Sequence, residues 1–288
     1  MKVVLFCGGF GTRLREYSET IPKPLVEVGP RPIIWHLMKY YAYHGHKDFV
    51  LCLGYGAPLI KNFFLSYNEC ISNDFIFSKG GSEIKLLNGD IDDWRITFAE
   101  TGLHSNLGER LTAVQRYVEE EEIFLANYSD GLTDLPFNKY LKRCLEKDCV
   151  ASFLSVRPSQ SLHAVSSDKE GRVLAVTPTR ESNYWINGGF FVFKKQIFDY
   201  IGKREELVEA PFQWLIREKQ LYTYKYEGFW AAMDTYKDKI KFDELYAKGD
   251  MPWELWKKKP GELFEKDLSY EIQPKTEELE TAHEVIRV

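Results

Sequence analysis

The residues best equipped for chemistry stand near the start of the chain: Gly8-Gly9-Phe10-Gly11-Thr12-Arg13-Leu14 follows a short apolar run, and Lys23 comes after it between Pro22 and Pro24. Glycines free backbone N–H groups to approach an anion closely, so a glycine-rich turn after a strand suits a phosphate. The spacing matches neither the G-x-x-x-x-G-K-[ST] loop nor the G-x-G-x-x-G dinucleotide fingerprint. Its cation supply is what differs. Arg13 lies within the loop, and Lys23 lies beyond it on backbone that two prolines restrict. A glycine-rich turn can also be only a tight turn; Arg13 and the flanked Lys23 favour anion chemistry.

Several elements must hold this loop in place. Lys2 to Cys7 reads as a strand buried on both faces and ended by glycines. Pro32 stands where a helix can begin, Ile33, Ile34, Leu37, Met38 and Tyr41 recur on one face, and Gly45 suits a helix C-terminus. Strands follow at Phe49 to Leu53, Phe75 to Phe77, Ile96 to Phe98 and Ile123 to Tyr128, with helical stretches at Leu59 to Tyr67 and Leu107 to Val118. Strands alternating with helices imply an α/β fold with an open, mostly parallel sheet flanked by helices. Beyond a helix at Phe137 to Leu145 the chain is richer in strands (Val150 to Val156, Arg172 to Val176, Gly189 to Phe193 and on through Trp230), with a helix near Pro211 to Lys219. A strand-rich addition over the carboxyl edge of the sheet is expected, where ligands of such sheets sit. Residues 1–256 form one domain on this reading. Residues 257–288 are a polar tail, in which Leu279, Ala282, Val285 and Ile286 suggest a short amphipathic helix that docks, or a frayed end.

Composition removes whole classes of function. The chain has 288 residues, 44% of them hydrophobic and 28% charged, with 38 Lys+Arg against 43 Asp+Glu. Disorder, fibres and coiled coils do not fit these values. A net charge of −5 offers no global attraction to nucleic acid or anionic lipid, so neither is expected as a partner. No apolar run is long enough for a bilayer, and Arg13 and Arg15 come too early for a signal peptide; a cytoplasmic protein is expected. Cys7, Cys52, Cys70, Cys144 and Cys149 show no CxxC pair and read as buried free thiols. His36, His44 and His46 lack metal-ligand spacing and read as core or solvated residues.

The opening motif, G-G-x-G-T-R-L followed by P-K-P, resembles that of the sugar-1-phosphate nucleotidyltransferases, and further segments recur in the same order over residues 1–256: Trp35 to Lys39, Gly54-Tyr55-Gly56, Asp130-Gly131, Ile186 to Val192, and Gly228-Phe229-Trp230 leading to Met233-Asp234-Thr235. The pattern is most similar to that of the cytidylyltransferases of the family. The resemblance implies a Rossmann-like fold and a reaction in which a sugar 1-phosphate attacks the α-phosphorus of an NTP in line, pyrophosphate leaving. By matching motif, the backbone of Gly8, Gly9, Gly11 and Thr12, with Arg13, would hold the β- and γ-phosphates, and Lys23 would face the α-phosphate or the attacking phosphate. Asp130, after an apolar run, and Asp234, before a helix at Thr235, suit Mg²⁺, which takes one or two protein carboxylates beside phosphates and water. Each has an ordinary alternative, Asp130 as a turn residue and Asp234 as a helix N-cap. Asp134 and Asp238 read as turn and helix-surface residues.

For the base, the stretch Asn106-Leu107-Gly108-Glu109-Arg110-Leu111 stands where uridylyl- and thymidylyltransferases carry P-x-G-L-A, and it looks like the cytidylyl type. Arg110 would donate to cytosine O2 and N3. Glu109 could accept from the cytosine amine, or simply favour a helix N-terminus. Asn187, Gly188 and Trp230 would lie at the sugar. The pattern breaks twice. Thr177, within Val176-Thr177-Pro178-Thr179-Arg180, occupies the slot of a phosphate-binding lysine, which Arg180 could replace, and His163 stands where the family has glycine. The reading is therefore a Mg²⁺-dependent transferase using CTP, or another NTP, and a sugar 1-phosphate. A different phosphate or phosphonate acceptor and a non-catalytic nucleotide-sugar sensor are its alternatives. As the resemblance implies, a homo-oligomer is expected.

Overall fold

A computed structural model describes residues 1–11, 21–158, 163–179 and 183–258. In chain order its strands are β1 (Val3–Phe6), β2 (Glu27–Val28), β3 (Arg31–Pro32), β4 (Asp48–Leu53), β5 (Phe75–Ser78), β6 (Glu83–Leu86), β7 (Arg95–Glu100) and β8 (Ile123–Tyr128). After them come β9 (Gly131–Thr133), β10 (Ala151–Val156), β11 (His163–Ser167), β12 (Val173–Pro178), β13 (Ile186–Asn187), β14 (Phe191–Lys194), β15 (Leu221–Tyr226) and β16 (Trp230–Ala232). The helices are α1 (Ile33–Tyr43), α2 (Ala57–Leu65), α3 (Leu107–Ala113), α4 (Gln115–Val118), α5 (Phe137–Lys147), α6 (Ala210–Arg217) and α7 (Tyr236–Ala247). The chain divides into units Met1–Leu255 and Trp256–Val288. Of the second, residues 256–258 are described; the tail helix suggested by the sequence lies outside the described residues.

The central sheet runs β13-β10-β14-β8-β1-β4-β7, with β15 on the other side of β10. Strands β8, β1, β4 and β7 are parallel to one another, as the alternation of strand and helix requires. The antiparallel β14 joins β8 to β10, making the sheet mixed but mostly parallel. All four residues of β1 are buried, so it reads as a continuous apolar run because both its faces are covered. A cluster including Val4, Phe6, Phe124, Phe191, Phe193, Phe212 and Leu215 packs on one face. Helix α1 is buried on nearly all sides, with Trp253 closing over it.

Several sequence expectations need correction. The helix at Leu107 to Val118 breaks at Val114 into α3 and α4. The strand at Gly189 to Phe193 is interrupted: Gly189 and Phe190 take positive φ (77° and 52°), and Asn127 Oδ1 accepts from Phe190 N at 2.9 Å. A Cβ on Gly189 would stand 2.2 Å from that same oxygen, so both φ and space demand glycine. Only Cys7, Cys52 and Cys144 are buried; Cys70 and Cys149 are partly exposed. Strands β6 and β11, which form hairpins with β5 and β12, were not visible in the pattern, nor was the β9–β16 ribbon.

Of the three histidines near the first helix, His36 and His46 are buried and His44 is half-buried. The His36 ring lies 2.9 Å from Val28 O through Nε2 and accepts from Trp253 Nε1 at 3.3 Å. His44 and His46, at the end of α1, pack on Phe137. Burial, joined for His44 by the charge of His46 and for His46 by the chain's amino group, pushes each ring down to about 4. The folded state thus resists protons that the unfolded chain binds below about 6.5. Stability contributed by the neutral rings is complete above pH 6.5 and is lost as pH falls towards 4. In thermal melts, a His44→Gln/His46→Gln double variant should show a shallower decline across that window; an unchanged slope would contradict the assignment.

Candidate active site

The carboxyl ends of the parallel strands supply the candidate site, through Cys7–Gly11 after β1, Gly54–Gly56 after β4, Thr101–Asn106 after β7 and Ser129–Asp130 after β8. Arg110, 4% exposed, ties these loops together. Its Nη1 donates to Leu53 O (3.2 Å), Thr101 Oγ1 (2.8 Å) and Gly102 O (3.0 Å), and its Nη2 to Gly8 O (3.0 Å). A Cβ on Gly8 would lie 2.1 Å from Nη1, which explains the glycine at that position. The guanidinium therefore spends its forked donors on the scaffold rather than aiming them at a base. Replacing Arg110 with Met removes these four hydrogen bonds, although Leu53 O keeps Thr101 N and Gly8 O keeps Tyr55 N, and should cost about 2–4 kcal/mol in denaturant unfolding. Lys, which cannot fork, should recover only part of the loss; a Met variant as stable as the parent would contradict this role.

Lys23 begins a short 3₁₀ turn, Lys23–Leu25, set by Pro22 in an extended conformation. Its ammonium forms an ion pair with Asp130 and a second with Asp234 Oδ1 at 2.7 Å. The two carboxylates meet because of the small β9–β16 ribbon, in which Gly131 faces Ala232 and Met233 N donates to Asp130 O at 2.9 Å. Asp234 is not the helix cap that its position allowed. Thr235 caps α7 in a capping box with Asp238, whose carboxylate also accepts from Asp234 N at 3.3 Å. Asp238 is thus a helix-start residue holding the backbone at Asp234. Burial lowers the affinity of Lys23 for its proton, but the charges and hydrogen bonds of Asp130 and Asp234 more than reverse this, and the net direction is upward. Lys23 stays cationic at neutral pH.

A cavity of about 410 Å³ joins these parts, bounded by Gly8 to Gly11, Lys23, Leu103 to Leu107, Arg110, Tyr128, Asp130, Glu206 and Asp234. At its mouth Phe10 packs against Tyr55 and His104, each at 5.5 Å between ring centroids. Asn187, Gly188 and Trp230 stand just behind the lining: Asn187 Nδ2 donates to Tyr128 Oη at 3.1 Å and Trp230 Nε1 to Gly188 O at 3.0 Å. His163 is exposed on the β11–β12 hairpin, where neighbouring Ala164 pairs with Thr177, and neither His163 nor Thr177 lines the cavity. Thr12, Arg13 and Arg180 lie outside the described residues. Glu109 is occupied in the capping box of α3 with Asn106, a role that the N-x-x-E spacing of this stretch signals. Glu206, which the sequence reading passed over, supplies a carboxylate to the lining in its place.

A search of protein-family models matches residues 2–235 to the family described as Nucleotidyl transferase. The chain is 34% identical over 258 residues to a glucose-1-phosphate cytidylyltransferase of Salmonella typhimurium, covering 89% of this chain and all of that one. A glucose-1-phosphate cytidylyltransferase of Salmonella typhi matches with the same identity and coverage. Among solved structures, a UDP-glucose pyrophosphorylase complexed with UDP-glucose superposes with a TM-score of 0.64 at 16% identity, covering 86% of this chain and 98% of that one, which is a likeness of fold.

Proposed function

Since the chain belongs to the nucleotidyl transferase family, we propose that it is a sugar-1-phosphate nucleotidyltransferase of the cytidylyl type, joining CTP and a sugar 1-phosphate into a CDP-sugar and pyrophosphate. The observation that carries this reading is the placement of Lys23 between Asp130 and Asp234, beside the glycine loop in one cavity. Relatives named for glucose-1-phosphate cytidylyl transfer support the base and make glucose 1-phosphate the first acceptor to test.

In the reaction an oxygen of the sugar phosphate bonds to the α-phosphorus of CTP as the bond from that phosphorus to the bridging β-phosphate oxygen breaks. The electron pair leaves with pyrophosphate. A phosphate monoester is largely dianionic at neutral pH, so no protein base is needed. The demand is for fixed positive charge and alignment. Lys23, kept protonated by its two partners, meets the first need at the α-phosphate or the incoming phosphate. Glycine amides of the loop, and Arg13 by its place in the motif, would take the β- and γ-phosphates. Arg110 and the β9–β16 ribbon hold these groups in register.

Asp130 and Asp234 converge closely enough to share one ammonium, and both offer hard oxygen. Among the described residues no group of three or more His, Cys, Asp or Glu side chains gathers, which suits Mg²⁺ completed by phosphates and water rather than a metal caged by protein. These two residues would hold Mg²⁺, which when bound neutralises charge on the triphosphate. A second reading keeps the chemistry and changes the acceptor, favoured by Thr177 in the lysine slot and His163 on the exposed hairpin. Pyrophosphate release with Mg²⁺, CTP and a panel of sugar phosphates and phosphonates tests both. Release with glucose 1-phosphate as the clear optimum supports the first and removes the second. Binding of nucleotide without release from any pair would support a sensor.

No helix among the described residues is long and apolar enough to cross a membrane. We place the protein in the cytoplasm, where its substrates would be. We also propose that it assembles with copies of itself, as the exposed Phe77 and Ile84 of the β5–β6 hairpin and Leu174 of the β11–β12 hairpin favour. Light scattering showing only a 33.7 kDa species would contradict that.

A further inference from the structure

Glu206 lies in sequence far from every motif of the site, yet it lines the same cavity as Gly8 to Gly11 and Lys23. Its neighbours hold it there firmly. Asn106 Nδ2 donates to Arg204 O at 3.0 Å, and a Cβ on Gly108 would stand 2.2 Å from Glu205 O, so the segment before Glu206 is pressed onto the first turn of α3. The carboxylate accepts from Leu207 N at 3.1 Å and Leu107 N at 3.4 Å, which fixes its orientation and leaves further lone pairs. Of the acidic groups lining the cavity, Asp130 and Asp234 are joined to Lys23, whereas Glu206 makes no ion pair among the described residues. The lining near it comprises Leu103 to Leu107 and Arg110, whose guanidinium is bound to backbone carbonyl groups, and holds no Lys. Phosphates belong at Lys23, so this other wall is the one left for a nucleobase.

A carboxylate is an acceptor only. Against a base it rewards an exocyclic amine and penalises a ring carbonyl, since two acceptors face to face leave both unpaired and repel. Cytosine carries an amine where uracil carries O4. Resting on the nucleotidyltransferase reading above, we propose that Glu206 is the residue that selects an amine-bearing pyrimidine: its carboxylate accepts from the cytosine amine and turns uracil away. Arg110, bound to the scaffold, and Glu109, held in the helix cap, leave this task to it.

Binding of CTP and of UTP to the full chain, measured by titration calorimetry without acceptor, tests this independently of turnover. The parent should favour CTP by about tenfold or more. Glu206→Gln, whose carboxamide can present either an oxygen or an amine, should bring the two affinities within about threefold of each other, and Glu206→Ala should do the same. A ratio within one protein sample is insensitive to any stability lost with the contact to α3. No preference in the parent, or the parental preference retained in both variants, would overturn the proposal. Loss of the preference in the variants, in a protein that releases no pyrophosphate from any pair, would uphold Glu206 as the selector while defeating the transferase reading.

Discussion

Replacing Lys23 with Met should lower kcat by about 10²–10³-fold, the loss expected when one preorganised charge on a transferring group is removed. The side chain is mostly enclosed, 14% exposed, and its ammonium binds two carboxylates in the cavity that Gly8 to Gly11 also line. Met fills the same volume without charge, so the effect should fall on turnover more than on the affinity for CTP. Arg carries charge but a wider, planar head, and should restore only part of the rate. A Met variant with kcat within threefold of the parent would show that Lys23 serves the fold alone.

The second large effect should come from Asp234→Asn, at least about 10³-fold in kcat at saturating Mg²⁺. The substitution preserves shape and leaves the Thr235–Asp238 capping box intact, so thermal unfolding should barely move. It also takes from Lys23 one of the two partners that raise its proton affinity. The contrast is Asp238→Ala, which should cost about 1 kcal/mol through the lost cap and impair turnover less. Undiminished activity in Asp234→Asn would sink the assignment of this carboxylate to the metal.

Much of this site could be read in advance because its parts are local: the glycine loop, the proline-flanked Lys23, and Asp130 at the end of an apolar run each announce themselves within a few residues. The parallel core was legible for the same reason, as β1 is a continuous buried apolar run and β4 and β8 are mainly apolar and mostly buried. What stayed hidden depends on pairing across distance. The β9–β16 ribbon has three residues per strand, too few for a period, yet it alone explains why Asp130 meets Asp234. Glu206 sits in a run of charged residues that looks like any solvated turn, and only the close packing at Gly108 turns it inward. Glu109 takes the helix-start role that its spacing from Asn106 allowed, while the bonds of Arg110 to backbone carbonyl groups were hidden, because a side chain's type does not reveal whether backbone groups have already claimed it.

Phosphorus NMR of the protein with Mg²⁺, CTP and glucose 1-phosphate tests the central claim most directly. The account predicts pyrophosphate and a CDP-sugar appearing in equal amounts, only when both substrates are present, and vanishing in the Lys23→Met variant. Orthophosphate or CMP as the product, or pyrophosphate formed without any sugar phosphate, would contradict it.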